Sequence, residues 1–209
     1  MKPIIAVDLN GALMYSRPFQ TAHHKWFSLF ASLLRKPEIE DLASAPDFMI
    51  HVDDIMDDYL GPVSEVSKRY FARQLFGMTL VAEAKPEDVV KEFAEYLCEL
   101  KSSFRLALIT TAPAPAVIPL LEKIGYEDLF DIVYKSPPGG SPDKIRLFKR
   151  FVSEFDMPQF YIGRGDRDLD ELRALDLKTI AVSWVEDGEY DCDYTFSTVD
   201  ELKDFFENG

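Results

Sequence analysis

The chain alternates short hydrophobic segments with helical patterns along most of its length. Apolar runs of about four to eight residues are typical of buried strands, and an apolar repeat of about 3.6 residues is typical of helices. Strands are predicted at residues 4–9, 105–110, 131–135, 159–163 and 178–184, with a shorter edge strand at 193–196. Helices are predicted at 115–124, 142–155 and 168–175, and Thr198 is expected to cap a last helix that runs to Phe206. This alternation predicts an α/β fold, a Rossmann-like parallel sheet with helices on both faces.

The gap between the first two strands is too long for one crossover helix. It contains an aromatic-rich helical pattern at 18–34 and a second one that runs from Gly61 to Gly77. A further helix is predicted to start at Pro86 and to lead back into the sheet, with acidic residues in its first turn. The sequence therefore predicts a helical cap at 15–80, inserted into an α/β core domain made of 1–14 and 81–209.

The net charge of the chain makes some classes of binding partner less favourable than others. The chain has 209 residues and a formal net charge of −14, which disfavours nonspecific attraction to nucleic acid or to an anionic membrane. No apolar run is long enough for a membrane span, and no leader pattern precedes the first strand, so we expect a soluble, cytoplasmic protein. A site can still be locally positive on an acidic protein, so a small anionic ligand remains compatible with this charge.

Polar residues follow each predicted strand at its carboxyl end. Asp8 and Asn10 follow the first strand, Thr110 and Thr111 the second, Lys144 comes after the third, and residues 163–168 follow the fourth. Because ligands bind at the carboxyl ends of the strands in open α/β sheets, we expect these side chains to converge on one edge.

The order and spacing of these residues resemble the haloacid dehalogenase superfamily, and most closely its phosphatase-like members with a helical cap after the first motif. The resemblance covers nearly the whole chain. It implies that Asp8 attacks phosphorus and forms an aspartyl-phosphate, which splits one difficult displacement into two steps. The acid two residues later normally protonates the leaving group. Asn10 stands there and has no proton to give, although its amide can orient substrate or water.

The resemblance also assigns the phosphoryl-binding residues. Thr110 matches the hydroxyl that binds the phosphoryl group, and Thr111 and His24 of the cap are candidate substrate contacts. The alternative for Thr110 is that it only caps the following helix. Lys144 is our choice for the lysine that neutralises the nucleophile and the phosphoryl oxygens, with Lys135 as its competitor.

The last motif departs from the family pattern. Matching Asp168 to the second acidic position puts Arg164 where a metal-binding aspartate usually stands. The resemblance implies Mg²⁺ held by Asp8, Asn10 and Asp168, with Asp166 as a possible substitute. Arg164 can instead bind an anion with two hydrogen bonds, or turn outward and pair with neighbouring acids.

Three functions follow from the resemblance. The leading prediction is a hydrolase acting on a small phosphorylated molecule through an aspartyl-phosphate on Asp8. Because Asn10 and Arg164 replace two acids, a catalytically degraded protein that binds an anionic ligand or a protein partner is the main alternative. Metal-independent dehalogenation is the third.

Overall fold

Six parallel strands form one sheet at the centre of the molecule. The computed structural model describes residues 2–45, 48–140, 142–164, 167–185 and 191–208, without the side chains of residues 167 and 168. The strands are β1 (Ile4–Val7), β2 (Arg105–Pro113), β3 (Ile132–Ser136), β4 (Phe160–Arg164), β5 (Thr179–Val182) and β6 (Tyr194–Phe196). Their order is β3-β2-β1-β4-β5-β6, and every neighbouring pair is parallel. The predicted fold class and all six predicted strands are confirmed.

Helices cover both faces of the sheet. The central strands are therefore continuous hydrophobic runs and do not alternate with polar residues. Alternate residues of β1 point to opposite sides. Ile5 and Val7 belong to one hydrophobic cluster, and Ile4 and Ala6 belong to the other. All four are buried.

Five helices complete these two layers. Helices α4 (Lys91–Leu100), α5 (Ala114–Ile124) and α8 (Val199–Asn208) place apolar residues in the first cluster. Helices α6 (Lys144–Glu154) and α7 (Arg167–Arg173) place theirs in the second. As predicted, Thr198 caps the last helix, because its Oγ1 accepts a hydrogen bond from the Glu201 amide at 3.2 Å. None of the described helices is long and apolar enough to cross a membrane.

A separate group of helices lies between β1 and α4 in the chain. It contains α1 (Arg17–Leu34), a 3-10 helix (Pro37–Ser44), α2 (Phe48–Leu60) and α3 (Glu65–Glu83). These helices have their own hydrophobic cluster, which includes Trp26, Phe27 and Phe30. We refer to them as the cap helices. Residue 80 lies inside α3, and the division into a cap at 15–80 and a core domain stays a prediction.

The segments that lead into and out of the cap helices are bonded to each other. The Tyr15 amide donates to the Asp88 carbonyl at 2.8 Å, and the Val90 amide donates to the Leu13 carbonyl at 2.9 Å. The buried carboxylate of Asp88 also accepts from Arg17 Nε at 2.7 Å and from the Lys85 amide at 2.8 Å.

These bonds explain one wrong prediction in the same segments. The helix predicted from Pro86 is a short 3-10 helix (Pro86–Asp88), and Val89 is extended before α4 begins at Lys91. The hydrogen bonds of Asp88 and Val90 outweigh the helical repeat there.

Candidate functional site

Asp8 stands immediately after β1, at the carboxyl edge of the sheet. Its amide donates to the Ile162 carbonyl of β4 at 2.9 Å, so the neighbouring strand fixes its backbone. Its Oδ1 accepts a hydrogen bond from the Leu9 amide at 2.8 Å. The side chain is 16% exposed, so the carboxylate is accessible although its surroundings are packed.

Lys144 reaches Asp8 from the first turn of α6. The helix begins there because the Asp143 side chain accepts from the Arg146 amide at 2.8 Å, an N-cap interaction. Lys144 Nζ lies 2.7 Å from Asp8 Oδ1, 2.9 Å from the Tyr161 hydroxyl and 3.2 Å from the Ile109 carbonyl. Its side chain is 3% exposed. A buried ammonium with three oxygen partners is firmly positioned.

The competing lysine lies elsewhere. Lys135 is part of β3, in register with Thr110, and it does not line the cavity that contains Asp8. The structure thus brings Lys144 to Asp8, while Lys135 stays outside the described lining.

Thr110 and Thr111 continue β2 beyond its buried centre. Thr110 is buried, and its Oγ1 accepts a hydrogen bond from the Ala112 amide at 3.1 Å. Helix α5 has Pro113 at its N-cap position and no side-chain cap, so Thr110 does not cap that helix. Both threonines line the same cavity as Asp8.

Asn10 and Gly11 form the turn after Asp8. The Gly11 amide donates to the Met14 carbonyl at 2.7 Å, and Gly11 has a φ of 82°. Arg164 packs directly against this glycine, because a Cβ at position 11 would lie 2.7 Å from Arg164 Cδ and 2.8 Å from Arg164 Cβ. Asn10 Oδ1 is buried and has no hydrogen-bond partner among the described residues. An unpaired buried acceptor in a cavity is suited to a ligand that brings a donor.

A cavity of about 680 Å³ lies between the sheet edge and the cap helices. Its sheet side includes Asp8, Asn10, Thr110, Lys144 and Arg164. Its cap side includes the aromatic residues Phe19, Trp26, Phe27, Phe48 and Phe76. This volume suits a small organic molecule.

Two neighbouring histidines line this cavity in different ways. The predicted substrate contact, His24, is exposed on its wall. His23 lies with its Nε2 2.8 Å from the Ala43 carbonyl and its ring against Phe27 and Phe48, an arrangement that holds the cap helices together.

Arg73 of α3 is a cavity residue that the sequence did not single out. Its Nη2 donates to the Thr111 carbonyl at 2.8 Å, while its Nε is buried and has no hydrogen-bond partner among the described residues. Burial lowers the pKa of the Arg73 guanidinium, and no described carboxylate pairs with it. An arginine in an amphipathic helix is usually a surface residue, so the sequence gives no signal that Arg73 lines the cavity. The same is true of Tyr161, whose contact with Lys144 depends on the tertiary fold.

The described charged side chains around the cavity are mostly cations. Among the described side chains of the lining, Asp8 is the one carboxylate, whereas Arg73, Lys144 and Arg164 are cations. Asp8 Oδ1 is occupied by Lys144, and the described residues contain no group of three His, Cys, Asp or Glu side chains that could hold a metal. Magnesium takes oxygen ligands, and the Mg²⁺ site predicted from the sequence stays a prediction.

Two predicted metal ligands of the last motif lie outside the described side chains. The predicted ligand Asp168 is the second residue of α7, and its side chain lies outside the described residues, as does the whole of Asp166.

Solved structures of other proteins share this fold, although the sequence itself matches no family model and no curated protein. A haloacid dehalogenase-like hydrolase from Streptococcus pneumoniae is 20% identical, with a TM-score of 0.66 and 98% of both chains covered. CbbY from Rhodobacter sphaeroides in complex with phosphate is 18% identical, with a TM-score of 0.63, and the match covers 97% of this chain and 96% of CbbY. YfnB from Bacillus subtilis, described as a HAD-hydrolase bound to magnesium, is 13% identical, with a TM-score of 0.64 and 99% of both chains covered.

Proposed function

We propose that this chain, which has the fold of the haloacid dehalogenase-like hydrolases, is a phosphohydrolase of small phosphorylated molecules that uses Asp8 as its nucleophile. The observation that carries the proposal is the ion pair between Asp8 and Lys144 at 2.7 Å, at the sheet edge of the cavity. The phosphate in the CbbY structure supports a phosphoryl group as the ligand of this fold.

The first chemical step is attack of Asp8 on phosphorus. Oδ1 is held by Lys144 and the Leu9 amide, so Oδ2 is the oxygen that attacks. The Asp8 Oδ2–P bond forms while the bond between phosphorus and the leaving oxygen breaks. Lys144 and Arg164 offset the negative charge that spreads over the phosphoryl oxygens, and Thr110 donates its hydroxyl to one of them.

The second step is hydrolysis of the aspartyl-phosphate by water, which releases inorganic phosphate and restores the Asp8 carboxylate. Asn10 can orient this water through its amide but cannot take its proton. The leaving oxygen likewise receives its proton from solvent. We therefore expect substrates whose leaving groups have a low pKa, such as acyl or aryl phosphates, to react faster than sugar phosphates.

A panel of phosphate esters tests this function, assayed with and without Mg²⁺. We expect turnover of aryl phosphates by the wild-type chain and its loss in Asp8→Asn. Asp200→Asn is the matched control, because it removes one carboxylate at a side chain that is 93% exposed. Failure of the wild-type chain to hydrolyse any ester, or full activity in Asp8→Asn, would refute the proposal. Halide release from a 2-haloacid, measured on the same preparation, would point to dehalogenation instead.

A second candidate function is binding of an anionic ligand without turnover. It is favoured by Asn10 and Arg164, which place an amide and a guanidinium where the resemblance calls for two acids. Calorimetry with inorganic phosphate distinguishes the two functions: binding without turnover of any ester supports the second, and efficient turnover excludes it.

A further inference from the structure

We propose that the cap helices form an apolar subsite for the leaving group of the substrate, and that this leaving group carries an aromatic ring. The subsite, which we call the ring subsite, consists of Phe19, Phe48, Met49, Val52 and Phe76. The substrate is then a phosphate whose leaving group is aromatic, either a phenol or an aromatic carboxylic acid. The place of its phosphoryl group rests on the proposed function.

The ring subsite and the proposed phosphoryl site belong to one cavity. Asp8, Thr110 and Lys144 line its sheet side, and the residues of the ring subsite line its cap side. The cavity of about 680 Å³ has room for an organic group beyond the phosphoryl group. In phosphoryl transfer the attacking and leaving oxygens lie roughly in line with phosphorus. With Asp8 attacking from the sheet side, the leaving group therefore extends toward the cap helices.

Three cap helices each bring an aromatic ring to this wall. Phe19 comes from α1, Phe48 from α2 and Phe76 from α3, and all three are partly buried. Each packs against one of the hydrophobic clusters, which holds the ring while part of its surface stays uncovered. Apolar surface in a concave site is stabilised when an apolar ligand removes it from water, and aromatic rings pack favourably against one another.

Helix α2 adds aliphatic surface beside Phe48. Val52 lies four residues after Phe48 and three after Met49, so all three side chains lie toward one side of the helix. Met49 is 44% exposed and belongs to none of the three hydrophobic clusters of the described residues. A flexible thioether makes favourable contacts with aromatic rings. Met49 is therefore available to a ligand and is not needed for the core of the cap helices.

Two further ring side chains of the cap wall have their polar atoms bonded within the protein. Trp26 Nε1 donates to the Ala72 carbonyl at 3.1 Å, and His23 Nε2 lies 2.8 Å from the Ala43 carbonyl. These rings therefore add apolar surface to the wall. The other polar residues on the described cap side, which can contact a polar substituent of the ligand, are Gln20, His24, Ser44 and Arg73.

Isothermal titration calorimetry of the full chain with two phosphonates, in the presence of Mg²⁺, tests the ring subsite. Benzylphosphonate has a methylene group in place of the ester oxygen of phenyl phosphate, so it binds without being hydrolysed. Methylphosphonate has the same head group without the ring. We expect benzylphosphonate to bind about 10- to 100-fold more tightly, the gain when most of a phenyl ring leaves water.

Two variants locate the ring. We expect Met49→Ser to lower benzylphosphonate affinity about 3- to 10-fold and to leave methylphosphonate affinity unchanged. Ile50→Ser is the matched control, since Ile50 is the next residue of α2, is 61% exposed and does not line the cavity. Phe48→Leu keeps an apolar side chain without the ring, and we expect it to lower benzylphosphonate affinity about 2- to 10-fold.

Two results would overturn the ring subsite. One is equal affinity of the wild-type chain for the two phosphonates, or binding of neither. The other is equal benzylphosphonate affinity in Met49→Ser and Ile50→Ser, with both variants folded by circular dichroism.

Turnover of benzoyl phosphate and acetyl phosphate separates this inference from the proposed function. The two leaving groups have nearly the same pKa, and both substrates form the same aspartyl-phosphate. We therefore expect a higher kcat/KM for benzoyl phosphate at a similar kcat. Equal kcat/KM values and equal phosphonate affinities would leave the phosphohydrolase standing without the ring subsite. Tighter binding of benzylphosphonate without turnover of any ester would leave the ring subsite standing and refute the phosphohydrolase.

Discussion

Lys144 Nζ lies 2.7 Å from Asp8 Oδ1, so the first residue of α6 neutralises the carboxylate that follows β1. The two residues are far apart in the chain, and they meet because β1 and β2 are adjacent and α6 begins beside their carboxyl ends. The Tyr161 hydroxyl and the Ile109 carbonyl hold the ammonium from its other sides. The pair therefore belongs to the framework of the fold as well as to the site.

Replacing Lys144 by Met should reduce kcat/KM for an aryl phosphate about 10²- to 10³-fold, because one fixed cation is lost beside the reacting phosphoryl group. Lys135→Met is the control, since Lys135 is a partly buried lysine near the end of β3 that does not line the cavity. Steady-state kinetics of both variants check this. Equal losses in the two variants would contradict the assignment of Lys144.

Asn10→Asp should accelerate turnover by adding the proton donor and acceptor that the site lacks. In the wild-type chain we expect the aspartyl-phosphate to accumulate, since Asn10 cannot take a proton from the hydrolytic water. Rapid-quench kinetics with an aryl phosphate should then show a burst of the released phenol, followed by a slow steady rate. In Asn10→Asp the burst should shrink and the dependence of rate on leaving-group pKa should flatten. A wild-type chain without a burst, and unchanged by the substitution, would argue against this role for position 10.

Gly11→Ala should lower both stability and phosphate affinity. The new Cβ meets the Arg164 side chain at less than 3 Å, and Gly11 has a φ of 82° that L-residues adopt at a cost of about 1–2 kcal/mol. Gly61→Ala is the control, because Gly61 has a φ of 68° but no neighbouring atom within 4 Å of the added Cβ. Denaturant unfolding should show a larger decrease in the free energy of unfolding for Gly11→Ala than for Gly61→Ala. Calorimetry should show weaker phosphate binding in Gly11→Ala and unchanged binding in Gly61→Ala.

Asp88→Ala should destabilise the connection between the cap helices and the sheet by about 1.5 to 3 kcal/mol, the range for hydrogen bonds to a charged group. Asp88 is buried and accepts from Arg17 and from the Lys85 amide. Glu87→Ala removes a neighbouring carboxylate whose side chain is 69% exposed, and we expect little change. Urea unfolding of the two variants measures the difference, and equal midpoints would show that the Asp88 contacts contribute nothing.

The sequence predicted the sheet and the position of Asp8 well, because buried parallel strands leave continuous apolar runs and a polar residue ends each one. It could not predict the place of Arg73 in the cavity, since the sequence of a helix does not show that one of its arginines contacts the Thr111 carbonyl. It also failed at Val89, where the hydrogen bond from the Val90 amide to Leu13, remote in sequence, interrupts a helical repeat. The choice between Lys144 and Lys135 required the tertiary structure, because Lys135 lies near the end of the third strand and Lys144 begins the next helix, and the sequence does not show which side chain reaches Asp8.

The double substitution Asn10→Asp with Arg164→Asp should raise Mg²⁺-dependent phosphatase activity. It removes one cation and adds two carboxylates to the cavity that contains Asp8, and carboxylate oxygens are ligands that Mg²⁺ prefers. We expect ester hydrolysis by the double variant to rise with Mg²⁺ and to fall in EDTA, and to exceed that of the wild-type chain at the same Mg²⁺ concentration. Arg164→Asp alone should lose phosphate affinity and gain little turnover, because the proton-transferring acid is still missing. If the double variant shows no response to Mg²⁺, then Arg164 does not occupy the metal-ligand position that the resemblance assigns to it.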